Sequence, residues 1–160
     1  MATMTFDPRA YGGVAPLSLI GPGQMFWWNN KGLAEPALRL VTPENDSHWR
    51  VVHFPLGKVP KYVEHDPGDA GDYLLAGSVQ WRVDGIPSGP VVGSGEKAGT
   101  ICVGASANEA ILCATGSQGV VKIDLGTWEV STQNLRRAPF KRWAVGVYDV
   151  NVEFFALYKR

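Results

Sequence analysis

Cysteine, charge imbalance and long apolar runs are the three things this sequence has little of. Two cysteines, Cys102 and Cys113, occur in 160 residues, fewer than small disulfide-dependent secreted domains carry. Two buried thiols are the expected state, with a bridge between them as the alternative. Fifteen Lys and Arg balance fifteen Asp and Glu, which removes the general attraction that sequence-independent nucleic-acid binding needs. Nucleic acid is therefore not an expected partner. No stretch approaches the roughly 20 apolar residues of a membrane helix. Met1 to Gly13 carries Arg9 as its one positive charge and lacks the apolar stretch of a secretory signal. Neither a membrane span nor a signal peptide is expected, and the compartment otherwise stays open.

Helix signals are also scarce. The best window, Asn30 to Leu40, is interrupted by Pro36 and offers a turn or two. Ser106 to Leu112 fits a short helix or a hairpin equally well. What is abundant is alternation with period two. Val79, Trp81 and Val83 alternate with Ser78, Gln80, Arg82 and Asp84, and Tyr148, Val150, Val152 and Phe154 alternate with Asp149, Asn151 and Glu153. Shorter candidate strands cover 15–20, 24–29, 37–42, 48–56, 99–104, 109–114, 119–125 and 127–131, each bounded by Gly, Pro, Asn or Asp. Leu125-Gly126-Thr127 reads as a hairpin join in which Gly126 takes the positive φ.

Nineteen Gly and eleven Pro are spread between these runs as turns, and 45% of the chain is hydrophobic. That is enough for one core and too little for two domains. The expectation is an all-β chain, a single domain over 1–160, folded as an antiparallel β-sandwich, jelly-roll-like, with little or no helix.

Chemistry-bearing residues are thinly spread. His48 and His53 are five apart, which in a strand sends them to opposite faces and argues against a shared ion. The turn from Glu64 to Asp72 concentrates carboxylates, so Asp66, Asp69 and Asp72 are the candidate ligands should a Ca2+ ion bind; no other cofactor is expected. Asp, Pro and Gly also make ordinary solvated turns. Gly93-Ser94-Gly95 and Gly116-Ser117-Gln118-Gly119 lack the pattern of a nucleophile elbow. No reaction is indicated.

Two features point to binding. Arg136, Arg137, Lys141 and Arg142, with Lys159 and Arg160, form a positive patch on a neutral chain, suited to an acidic partner or to guarding an edge strand. Phe26, Trp27 and Trp28 are consecutive, so a strand must turn at least one large ring away from its main core. Trp27 or Trp28 then anchors a subunit contact or stacks on a sugar ring, beside Asn29 and Asn30, the alternative being that its own domain covers both sides of this strand.

Gly146-Val147-Tyr148-Asp149-Val150-Asn151-Val152-Glu153-Phe154-Phe155 resembles the last strand of jelly-roll coat proteins of small icosahedral positive-strand RNA viruses. Gly77 to Val83 is similar in style to their shell and protruding domains. The resemblance covers about ten residues and implies a self-assembling or surface-displayed virion protein. The usual basic N-terminal arm is missing, since Met1 to Gly23 holds a single Arg, which favours a protruding or decoration component over an RNA-packaging shell. The leading expectation is a non-enzymatic structural or attachment protein of a virus particle, located in the virion and partnered by its own or other capsid subunits. The alternative is a carbohydrate-binding module recognising a surface glycan through an exposed Trp. A small all-β enzyme, with His53 and the His65 to Asp72 loop converging in one pocket, is the third.

Overall fold

A computed structural model describes residues 11–66, 71–85, 97–104, 109–132, 138–148 and 153–160. The first strands are β1 (Tyr11–Pro16), β2 (Met25–Asn30), β3 (Leu33–Arg39), β4 (Trp49–His53), β5 (Lys61–His65), β6 (Asp72–Ala76) and β7 (Gln80–Val83). The remainder are β8 (Ile101–Val103), β9 (Ala110–Gly116), β10 (Gly119–Asp124), β11 (Ala138–Phe140), β12 (Trp143–Tyr148) and β13 (Phe154–Lys159). Among the described residues the only helical element is a 3-10 turn at Leu17–Leu19.

The strands form two sheets. The larger runs β1-β6-β2-β3-β4-β5-β9-β8-β11, with β10 also paired to β9; the smaller runs β13-β12-β7. Every pairing is antiparallel except the single parallel contact Lys61↔Thr115, which joins β5 to β9. The all-β sandwich is the one the alternation predicts. The likeness to a jelly roll extends to two packed sheets and not to the strand order, because β2-β3-β4-β5 is a plain meander within one large sheet.

Alternation sorts the side chains of the large sheet onto two faces. Met25, Leu38, Leu40, Val52 and Phe54 point inward and meet Trp143, Val145 and Tyr158 of the small sheet. Phe54 and Tyr158 pack at 5.2 Å between ring centroids, and Trp143 and Tyr158 at 5.3 Å. The Trp143 indole N–H is buried but satisfied, donating to the Gly99 carbonyl at 2.9 Å. Each such side chain contributes about 1.5–3 kcal/mol by leaving water. The opposite face carries a second cluster of Phe26, Ala37, Val51 and Leu75, covered by Leu17 and Ile20 from the segment after β1. Cys102 and Cys113 are buried with Ile111.

Three local expectations are corrected. The strand expected over 37–42 is Leu33–Arg39, and Pro36 lies inside it, opposite Trp27. Its carbonyl accepts from Phe54 N–H on the β4 side, and the register with β4 begins at Ala37. The missing donor therefore falls at the end of the β3–β4 ladder, where the pair keeps one bond. The Tyr148 to Phe154 stretch is not one strand, because Tyr148 of β12 pairs with Phe154 of β13 and the chain reverses between them. The pattern that carried the viral resemblance is thus the two arms of a hairpin. In the turn after β10 the left-handed residue is Trp128 (φ 64°), not Gly126. The Asp124 carboxylate accepts from Gly126 and Thr127 N–H and holds that turn. The Trp128 ring lies on Gly23 (φ 84°), where a side chain would collide with the indole.

Candidate functional site

The outer face of the large sheet gathers the side chains capable of chemistry. Trp28 follows Phe26 by two residues and so shares its face. Tyr73 of β6 stacks on its indole at 5.3 Å and 12°, and His65 of β5 at 4.5 Å and 24°. Strand β6 lies on one side of β2 and β5 on the other, so the ring stands between the two. Trp28 is therefore held by its own domain and does not offer the open platform expected of it; Trp27 is half-buried on the other face.

Beside this stack His53 Nε2 and His65 Nε2 face each other at 2.8 Å. One ring donates and the other accepts, so the pair always contains a neutral imidazole. His53 is 7% exposed, and burial, reinforced by the nearby charges of His65 and Lys61, pushes its pKa down to about 4. Sequence reasoning set His53 against His48 for a shared ion, and brought it together with the His65 to Asp72 loop only in the enzyme alternative, without the direct contact between the two rings. The signal was present: His53 pairs with Lys61, and His65 lies an even number of residues beyond Lys61, on the same face.

A trough of about 460 Å³ opens next to the pair, lined by Trp28, Asn30, Glu35, His53, Pro55, Lys58, Val59, Lys61, Val63 and Thr115. A second cleft of about 920 Å³, between β5 and the β9–β10 hairpin, shares Lys61 and Val63 in its lining. Strands β5 and β9 touch at one register pair, Lys61↔Thr115, and their divergence beyond it makes the cleft. Asn30 Nδ2 donates to Glu35 Oε1 at 3.1 Å, which fixes one polar edge of the trough.

The predicted calcium turn lies only partly within the described residues. Asp72 begins β6 and Asp66 sits 3.4 Å from His48 Nε2, while Asp69 lies outside the described residues. Ligand atoms of Asp46, His48 and Glu64 come within 4.8 Å of one another. Hydrogen bonds from the His48 backbone and ring hold the Asp46 pKa below its ordinary value, helped by Arg50. The Arg50 guanidinium, 3.3 Å from Asp46 and 3.9 Å from Glu64, already supplies the positive charge a cation would bring. Of the basic patch, Lys141 and Arg142 are exposed at the β11–β12 turn, and Arg136 and Arg137 lie outside the described residues.

Fold and site together define a two-sheet β-sandwich with an aromatic, histidine-bearing trough on its larger sheet. Comparison with protein-family models, curated proteins and solved structures finds no match for this chain. The functional reading rests on the geometry.

Proposed function

We propose that this protein is a non-catalytic binding module that holds a saccharide chain along the outer face of its larger sheet. The observation that carries the reading is the open trough at Trp28, with a second cleft beside β5 that shares Lys61 and Val63 in its lining. A saccharide alternates hydroxyls, which donate and accept, with apolar C–H faces. The lining alternates likewise: Asn30, Glu35, Lys58, Lys61 and Thr115 are polar, and Trp28, Val59 and Val63 are not. The open trough suits a chain better than a compact metabolite. Because the Trp28 indole is already stacked, it serves as a wall of the trough, not as a face for the sugar.

A glycan array followed by calorimetry tests this. At least one oligosaccharide is expected to bind, and Asn30→Ala and Lys61→Ala each weaken it about tenfold while the circular dichroism spectrum is kept. Silence across neutral and acidic glycans contradicts the reading.

One observation favours a second reading, a subunit of a larger assembly such as a virus particle. Val14 on β1 and Leu19 just after it are 66% and 75% exposed, and β1 ends the described strand order of the large sheet. An apolar sheet edge is a ready template for another chain. Light scattering on the purified protein distinguishes the two: a symmetric oligomer that Val14→Lys dissociates supports assembly, and a concentration-independent monomer opposes it.

A further inference from the structure

We propose that one end of the sandwich docks on an anionic phospholipid surface, with Leu56 entering the headgroup layer and the basic side chains around it meeting the phosphates. Segments far apart in sequence converge at that end. The β4–β5 turn reaches the small sheet there, because the Tyr158 hydroxyl donates to the Lys58 carbonyl. The Gly99 carbonyl accepts from the Trp143 indole N–H at 2.9 Å, and a Cβ on Gly99 would lie 2.9 Å from Val59 and 3.2 Å from the Arg160 guanidinium. The Thr100 hydroxyl donates to the Lys97 carbonyl at 2.7 Å, which keeps Lys97 beside them. The Arg160 N–H donates to the Trp143 carbonyl at 2.8 Å, which brings the end of β13 to the β11–β12 turn. Lys58, Lys97, Lys141, Arg142, Lys159 and Arg160 are all exposed, so cations share one end of a chain whose formal net charge is zero. Asp84, whose N–H donates to the Arg142 carbonyl at 2.9 Å, brings a carboxylate to this end, and Arg82 pairs with it at 3.3 Å.

Positive charge alone suits any polyanion, and Leu56 decides among them. It is 94% exposed, in the second position of a turn closed by the Lys58 N–H on the Pro55 carbonyl at 3.1 Å, with Gly57 taking the positive φ of 71°. That position accepts a polar residue as readily, so folding does not account for a leucine held in water there. The turn is anchored by the buried Phe54 before it and by the Tyr158 bond to Lys58 after it, so little backbone freedom is lost on docking. A soluble polyanion offers nothing to an aliphatic side chain. A bilayer surface offers phosphate and, just beneath it, hydrocarbon. The two signals need each other: attraction to exposed cations fades within about 10 Å at 0.1 M salt, and one leucine buries too little area to hold the protein by itself. Together they give a reversible, salt-sensitive attachment. The inference does not rest on what the trough holds.

The test is co-sedimentation of the full-length protein with vesicles of phosphatidylcholine alone and of an equimolar mixture with phosphatidylserine, with soluble heparin as a further arm. The variants avoid Lys58, which also lines the trough, and all lie at exposed positions, so circular dichroism is expected to show each of them folded. Binding is expected to the mixed vesicles only, and about 0.5 M NaCl releases most of it. Leu56→Asn weakens it about fivefold, and Lys141→Glu combined with Arg142→Glu weakens it about thirtyfold or more. Phe155→Asn changes an exposed ring at the start of β13, the opposite end of that strand from Arg160, and leaves the affinity within about twofold. The proposal is overturned if the protein ignores the mixed vesicles, if Leu56→Asn binds them like the wild type, if Phe155→Asn abolishes the binding, or if heparin is bound through Lys141 and Arg142 while the vesicles are not.

Discussion

Between Trp49 and Phe54 the chain alternates between two environments. Val52 and Phe54 point inward and are fully buried against Trp143 and Tyr158 of the small sheet. Trp49, Val51 and His53 point outward, and there the sheet is covered only in part, by Leu17 and Ile20 over Phe26, Ala37 and Val51. The inner face is closed by another sheet and is apolar where the two sheets meet. Among the described residues the outer face is closed by the Leu17 to Ile20 turn over Phe26 and Val51, is buried again at Ile111 and Cys113, and opens into the trough at Trp28, His53 and Lys61. Cover, more than composition, separates the two: wherever a second layer arrives, alternation makes core, and wherever it does not, the same alternation leaves groups available for binding.

Removing a large inner side chain challenges that contrast most severely. Trp143→Ala deletes a ring in contact with Phe54, Trp81 and Tyr158 and leaves the Gly99 carbonyl without its donor. A loss of about 3–5 kcal/mol in urea unfolding is expected. Gly146, in β12 opposite Ala156 of β13, belongs to the same layer. A Cβ there would overlap the Phe155 carbonyl, so Gly146→Val parts the hairpin and costs about 2–4 kcal/mol as overpacking of a backbone contact.

Acid probes the outer face. The folded pKa of His53 is held at about 4, below the ordinary 6.5, so between those values the unfolded chain binds more protons than the folded one. The stabilising contribution is complete above pH 6.5 and is lost as pH falls toward 4, to the extent of about 3 kcal/mol. Unfolding midpoints measured from pH 7 to pH 4 check it, and in a folded His53→Phe variant that part of the slope disappears. The smallest stability effect is expected in the trough. Asn30→Ala removes an exposed hydrogen bond to Glu35 and shifts stability by about 0.5 kcal/mol or less, while lowering ligand affinity far more.

Much of the inner face was legible in the sequence. Trp81, between Val79 and Val83, and the aromatic C-terminal run gave the strands of the small sheet their period, because a half-buried strand writes its burial directly into alternation. Pro36 misled because its tolerance depends on which neighbour its missing N–H faces, a property of strand order that local sequence does not carry. The hairpin between Tyr148 and Phe154 was hidden for a related reason: alternation continues across the reversal, so one long strand and two paired arms look alike. Trp28 was singled out by its aromatic run, and its stacking partners come from β5 and β6, which no local pattern brings together. The His53–His65 contact needed only the β4–β5 register, and that follows from a short turn at Leu56-Gly57-Lys58, where Gly57 takes a φ of 71°.

The most direct measurement of the central claim is to follow backbone amide shifts by NMR while the best oligosaccharide from the array is titrated into the protein. The account predicts perturbations confined to Trp28, Asn30, Glu35, His53, Lys61 and their neighbours on the outer face, with the amides of β7, β12 and β13 unmoved. Perturbations centred on the small sheet or on the β1 edge, with the trough silent, would contradict it.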